Sequence, residues 1–320
     1  MHLVELTDTQ RALGGNATIG LVLDSALPAR KLQNKLWRTV FQFEKQFSRF
    51  LPSSELSLFN ASAGIKTPVS DAFTAVLKTA QEVAAQTDGL CNPFVLPALQ
   101  RAGYVHSAAE GYQNDPAPDY SERHVVDVSK LELGDGWARI PFGTAIDIGG
   151  FGKGYLADML GAIAREEGAV GYWIELSGDI ATYGHDAASQ PITIAVQAAD
   201  ASATGRYLVV CPEEPFAVAT SGTFKRAAHA ESMKEHHIID PRTSQPAETD
   251  MLLATICAHS ATAADVFASC ALIVGSEQAP TWLKVHGSHE YLLQWRDNSG
   301  VAITSHGAHI RIKEGAPANV

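Results

Sequence analysis

Eight positions, Asp147 to Gly154, hold one carboxylate, four glycines and one lysine. The order is Asp-Ile-Gly-Gly-Phe-Gly-Lys-Gly, and an apolar-periodic stretch through Leu156 follows at once, which predicts a helix from about Lys153 to Glu167. Glycines let backbone approach a ligand closely and admit φ > 0. A helix start just beyond them offers free N–H groups and a positive dipole end to an anion, a phosphate above all. The loop is not a Walker A sequence, because Gly154 stands where Ser or Thr should follow the lysine. A strict G-x-G-x-x-G has no frame here either, and the plain alternative is a tight strand-to-helix turn carrying a surface lysine.

Four further clusters have side chains suited to chemistry. Thr220-Ser221-Gly222 ends an apolar strand within Ala217 to Arg226, placing hydroxyls and amides at a strand terminus. His236-His237-Ile238-Ile239-Asp240-Pro241-Arg242-Thr243 sets a histidine pair before a turn, with His237 the candidate for proton transfer or ligand orientation near neutral pH. Asp265 and Ser269 stand four apart on an otherwise apolar helix, hence on one face. A buried carboxylate needs a partner or a cation, and a carboxylate with a hydroxyl suits magnesium. The alternative is an acid complementing the helix dipole. Ser177-Gly178-Asp179 closes a buried strand, or is an ordinary polar turn.

The elements that must position these groups follow from periodicity. Ala17 to Leu23 reads as a strand entered through Gly14-Gly15-Asn16, and Pro28 opens a helix to about Phe50. A short helical turn covers Ser53 to Asn60, and Ser70 caps a helix ending near Asp88-Gly89. Asn92 to Pro118 reads as loop. Val125–Leu133 and Trp137–Ile140 form a hairpin about Gly134-Asp135-Gly136. Short β runs follow at Tyr172–Leu176, Ile192–Val196, Tyr207–Cys211, Ala217–Ala219 and Leu252–Ala258. Ser260 caps a helix to about Val274, and Tyr291–Trp295, Val301–Thr304 and Ile310–Ile312 close the chain. No linker or repeat divides it. The expectation is one interwoven α+β domain over residues 1–320, with mixed, largely antiparallel sheets and flanking helices, in one lobe or two.

Composition narrows the function classes. The chain has 320 residues, 46% hydrophobic and 18% charged, ample for a core. A net charge of −11 argues against nucleic acid and anionic membranes as partners. The four cysteines, Cys91, Cys211, Cys257 and Cys270, lack C-x-x-C spacing and read as buried thiols of a reducing compartment. The opening residues have no secretory-signal pattern, and no run of about 18 apolar residues suits a membrane span. A cytoplasmic protein is expected.

The order of motifs resembles the ApbE family, the FAD:protein FMN transferases, over nearly the whole chain. Phe47-Ser48-Arg49-Phe50 with Ser54-Glu55-Leu56-Ser57 and Asn60, Thr87-Asp88-Gly89, Asp147 to Gly154, Ser177-Gly178-Asp179, Thr220-Ser221-Gly222, His237 to Thr243, and Asp265 with Ser269 are each similar to one of its signatures. The resemblance implies binding of FAD and Mg2+, and transfer of the FMN half to a Ser or Thr hydroxyl of a target flavoprotein with release of AMP. It implies that Asp265, Ser269 and the carbonyl of Gly150 hold the metal. Lys153 contacts the flavin nucleotide with Asp147 beside it. Leu13 and Phe50 pack on the nucleotide, Leu90, Cys91 and Asn92 line its adenosine side, and Ile239 lines the flavin. Ser177, Thr220 and Ser221 join the nucleotide site, and His237 and Asp147 are the catalytic candidates.

The chain departs from the family pattern at Asn92 and Phe94, which replace the usual Asp and Thr, and at Ser244, which replaces a Gly. Its opening stretch reads Leu13-Gly14-Gly15 in place of Met-Gly-Thr. With that stretch so near the start, no exported leader is expected. Two other activities use the same residues: Mg2+-dependent hydrolysis of FAD to FMN and AMP, and non-catalytic flavin binding.

Overall fold

The computed structural model describes residues 3–106, 118, 120–122, 124–199, 207–223, 236–288 and 290–312. The chain separates into two compact units. The first comprises the described parts of Met1–Val40, Lys153–Gly222 and Thr249–Val320, the second those of Phe41–Gly152 and Thr223–Glu248. Neither unit is continuous in sequence, which accounts for the lack of any linker signal.

The first unit is built on an eight-stranded sheet in which every neighbouring pair is antiparallel. Its order is β1 (Val4–Ala12), β2 (Gly15–Leu23), β6 (Gly171–Leu176), β7 (Asp179–Gly184), β10 (Phe216–Gly222), β13 (Met251–Ala258), β14 (Glu290–Asp297) and β15 (Gly300–His306). The edge strand β1 alternates half-buried and exposed residues, as a strand wetted on one face must. The central strands β6, β7, β10 and β13 have buried residues on both faces. Gly20 sits opposite Trp173, where a Cβ would lie 2.0 Å from the indole, so the missing side chain makes room for the ring.

A smaller sheet of β8 (Thr193–Val196), β9 (Tyr207–Val210) and β16 (Ile310–Ile312) shares a core with Phe216, Val218, Cys257 and Leu292. Helix α6 (Ala261–Val274) packs on β7, β10 and β13 and is buried along most of its length. Its predicted cap is present: Ser260 accepts a hydrogen bond from the Ala263 N–H. Helices α5 (Gly152–Glu166) and α7 (Ala279–Val285) complete the unit, and α1 (Ala26–Phe47) carries the chain from the first unit to the second at Val40.

The second unit packs α2 (Glu55–Ala61) and α3 (Asp71–Gln86) around a phenylalanine cluster. Phe47 stacks on Phe73 at 5.7 Å, and Phe59 meets the same ring edge-on at 5.3 Å. Ser54 and Ser70 cap these helices, accepting from the N–H groups of Ser57 and Phe73. A short sheet of β3 (Thr67–Pro68), β5 (Trp137–Arg139) and β4 (Glu132–Gly134) holds the hairpin about Gly134 to Trp137, and β11 (Ile239–Asp240) pairs with β12 (Gln245–Pro246).

Several expectations need correction. The hairpin is shorter than its apolar pattern implied, because residues 128–130 form a 3₁₀ turn capped by Asp127. Helix α1 stops at Phe47, not Phe50. The stretch from Asn92, read as loop, contains a 3₁₀ turn (Pro93–Val95) and α4 (Leu96–Arg101). Strands β1 and β7 and helix α7 were not foreseen. Among the described residues no helix is long and apolar enough to cross a membrane.

Candidate functional site

Antiparallel pairing gathers the first unit's motif residues at one end of the large sheet. Leu13 and Gly14, at φ 56° and 75°, make the two-residue turn between β1 and β2. Ser177 and Gly178, also at positive φ, make the turn between β6 and β7. Because β2 begins where β6 ends, these turns adjoin, and the Ser177 hydroxyl donates to the Asn16 carbonyl at 3.3 Å. Asp179 begins β7 opposite Ala219, so Thr220 and Ser221 end β10 on the same side.

Charge concentrates here on three side chains. Lys153 is ion-paired with the buried carboxylate of Asp179, and its Nζ lies 3.8 Å from Asp265 Oδ2. Asp265 is 4% exposed, and its Oδ2 has no hydrogen-bond partner among the described residues. The backbone N–H of Gly154, in the first turn of α5, faces the same carboxyl and favours its charged form. Burial and the neighbouring Asp179 push the Asp265 carboxyl well above the usual carboxylate range, against the opposing pull of Lys153. Two carboxylates thus face one ammonium. Ser269, one turn on from Asp265, shares a 3.0 Å hydrogen bond with Ser221, while Thr220 is bonded to Thr255 across the strands at 2.9 Å.

The glycines of the loop serve a purpose other than left-handed backbone. None of Gly149, Gly150, Gly152 and Gly154 has positive φ. Gly149 leaves room for the Asp147 side chain, whose Oδ2 would lie 2.7 Å from an added Cβ. Gly152 leaves room for Ile148, and Gly154 for the carbonyl of Ala261, only 2.4 Å from an ideal Cβ. The group that the start of α5 meets is the chain's own Asp265 carboxyl.

Within the second unit, Asp147 is fixed by its N–H, which donates to the Pro93 carbonyl at 2.8 Å, and by Arg49, whose Nε lies 3.7 Å from Oδ1. Arg49 donates to the Tyr104 carbonyl at 2.8 Å and covers the half-exposed Phe50 ring at 4.2 Å. Cys91 faces the exposed Gly150, its Sγ 3.9 Å from the place of a Cβ, and Leu90 is buried beside it. The departure at Asn92 has a structural reason. Its Oδ1 caps the following turn by accepting from the Phe94 N–H, while its Nδ2 donates to the Val126 carbonyl, a bond that an Asp carboxylate lacks the hydrogen to make. Phe94 is buried.

The two histidines divide. His236 is buried, its Nδ1 accepting from Ile238 N–H, and burial lowers its pKa. His237 is half-buried, edge-on to Tyr104 at 5.9 Å. Ile239 lies in an apolar cluster with Ala98 and Leu99. Phe224, Lys225 and Arg226 lie outside the described residues. Asp179 and Arg49 stand within motifs visible in the sequence, but sequence reasoning gave neither of them, nor Asp158, a role of its own. The signal for Asp179 was its place at the mouth of a strand turn, opposite the hydroxyl-bearing end of β10.

The ApbE family profile matches residues 13–293. The chain belongs to the ApbE family. Among its curated relatives, the FAD:protein FMN transferase of Salmonella typhimurium is 23% identical over 290 residues, 88% of this chain and 82% of that protein. The FAD:protein FMN transferase of Treponema pallidum is 27% identical over 263 residues, 76% and 71% of the two chains. The ApbE protein of Thermotoga maritima superposes with a TM-score of 0.79 at 24% identity, over 95% of this chain and 97% of that one. The ApbE architecture is α+β, as the periodicity implied.

Proposed function

We propose that this ApbE-family chain is a FAD:protein FMN transferase, the activity named for its Salmonella and Treponema relatives. An acceptor Ser or Thr oxygen attacks the FMN-side phosphorus of FAD. The new P–O bond forms as the pyrophosphate bond breaks, the hydroxyl proton leaves, and AMP departs with the former bridging oxygen. The observation that carries this reading is the buried Asp265 carboxyl, whose Oδ2 has no hydrogen-bond partner among the described residues and lies 3.8 Å from a lysine already paired with Asp179.

Those residues fit a hard divalent cation. Asp265 and Ser269 would hold Mg2+, with Gly150 assigned a carbonyl ligand by the motif match. Bound there, the ion would supply charge neutralisation for the pyrophosphate and the departing AMP. Lys153, already anchored by Asp179, supplies a fixed positive charge to the nucleotide phosphates. Asp147, held by Arg49 and Pro93, and His237, against Tyr104, are the candidates for positioning the acceptor or receiving its proton. Leu13, Ser177, Thr220 and Ser221 in the first unit, and Phe50, Leu90, Cys91, Asn92 and Ile239 in the second, are assigned to the nucleotide. Thr220, Asn92 and Ile239 contribute chiefly through backbone and packing, since their side chains are engaged internally.

We place the protein in the cytoplasm, a reading supported by four unbridged cysteines and tested by cell fractionation. Chromatography of FAD and Mg2+ incubations separates the activities. A transferase releases AMP in step with acceptor labelling and little free FMN, whereas equal FMN and AMP without an acceptor would establish hydrolysis instead.

A further inference from the structure

Lys153 and Asp265 stand on different helices of the first unit, so their approach depends on how α5 is locked to α6. The first N–H groups of a helix lack internal partners. In α6, Ser260 serves the Ala263 N–H, and Asp158 of α5 serves the two before it. Asp158 Oδ1 accepts from Ala261 N–H at 2.7 Å, and its Oδ2 accepts from Thr262 N–H at 2.9 Å and from the Thr262 hydroxyl at 2.6 Å. One turn earlier on the same face of α5, Gly154 lets the Ala261 carbonyl come closer than any side chain would permit. The Gly154 N–H also faces the carboxyl of Asp265, one turn beyond Ala261.

We infer that Asp158 is a positioning residue for the cation site: it clamps the start of α6 to α5 and so sets where Asp265 and Ser269 stand relative to Lys153. The inference rests on the metal reading above. A carboxylate serves this role where an amide would not. All three of its partners are N–H or O–H donors, and an Asn in either orientation would turn its own NH₂ toward a backbone N–H, that of Ala261 or that of Thr262. Residues that orient metal ligands indirectly typically change affinity by about 10–100-fold when altered. A capping role alone would lower stability and leave the affinity of the folded protein unchanged.

The test titrates Mg2+ into the full chain by calorimetry, with and without saturating FAD, at a temperature where each variant is folded. Asp158→Asn is expected to weaken Mg2+ binding about tenfold. Thr262→Val, which deletes one donor, should weaken it less, and gives the answer if Asp158→Asn does not fold. Phe59→Leu, a destabilising change in the second unit, should bind Mg2+ as the parent does. Wild-type affinity in the folded Asp158→Asn protein, or in Thr262→Val where that variant stands in, overturns the positioning role. If Asp265→Ala also binds like the parent, the metal reading has failed and the inference falls with it. If Asp265→Ala loses binding while Asp158→Asn keeps it, only the clamp is refuted.

Discussion

Gly154→Ala sets two physical effects against each other. Alanine is the better helix former by about 1 kcal/mol, so propensity alone makes the variant more stable. Its Cβ, however, would lie 2.4 Å from the Ala261 oxygen, 2.7 Å from the Ala261 carbonyl carbon and 2.8 Å from Thr262 Cα. All three are backbone atoms, so no rotamer change relieves the contact, and the start of α6 must retreat by about 1 Å to restore ordinary packing. That retreat strains the Asp158 hydrogen bonds at 2.6–2.9 Å and draws Asp265 away from the Gly154 N–H. Overpacking costs ~1–3 kcal/mol, and charge-assisted hydrogen bonds weaken with it. We expect a net loss of about 2 kcal/mol, equivalent to roughly 4–8 °C in Tm. Thermal unfolding with and without Mg2+ measures it. Gly161→Ala is the control: it meets only the tip of Tyr172, and should lower Tm without touching Mg2+ affinity. A Gly154→Ala protein as stable as the parent, with unchanged Mg2+ affinity, would refute the argument that space rather than backbone freedom requires glycine here.

Other expectations follow from the same contacts. Without metal, Asp265→Asn should be at least as stable as the parent, because a buried carboxylate with an unpartnered oxygen is removed; Mg2+ should raise the parent's Tm and not the variant's. Ser244 holds φ 60° and accepts from Val125 N–H at 2.8 Å. Ser244→Gly should be nearly neutral in urea unfolding, while Ser244→Ala, which keeps the strain and loses the bond, should be worse by about 1 kcal/mol. Burial lowers the His236 pKa below its ordinary 6.5, so the unfolded chain binds a proton that the folded one refuses. Stability therefore declines as pH falls through 6.5 toward the depressed value, and His236→Gln should flatten the dependence of Tm on pH between 7 and 5.

Where one residue's chemistry decided its surroundings, the sequence was readable. Ser70 and Ser260 are caps because a hydroxyl before an apolar-periodic run has one good use. The lone Asp265 on an apolar helix announced a buried charge, and it is buried. What stayed hidden depended on partners distant in sequence. Strand β1 escaped notice because an edge strand keeps no residue on a fully buried face until Ala12. Asp158 has no reading from sequence, since nothing local marks the N–H groups of residues 261 and 262 as its partners. The glycine loop was found at once, yet its reason was space: Gly149 and Gly152 make room for Asp147 and Ile148 of the same loop, and Gly154 for the distant Ala261 carbonyl. Asn92 shows the converse, a departure from the family pattern explained by the Val126 carbonyl.

The most direct test incubates the full chain with FAD, Mg2+ and a candidate acceptor flavoprotein, and weighs the intact acceptor by mass spectrometry. The account predicts one added FMN on a Ser or Thr of the acceptor with the parent protein, and none with Asp265→Ala. An acceptor left unlabelled by the parent across the candidate flavoproteins, or labelled equally by Asp265→Ala, would contradict it.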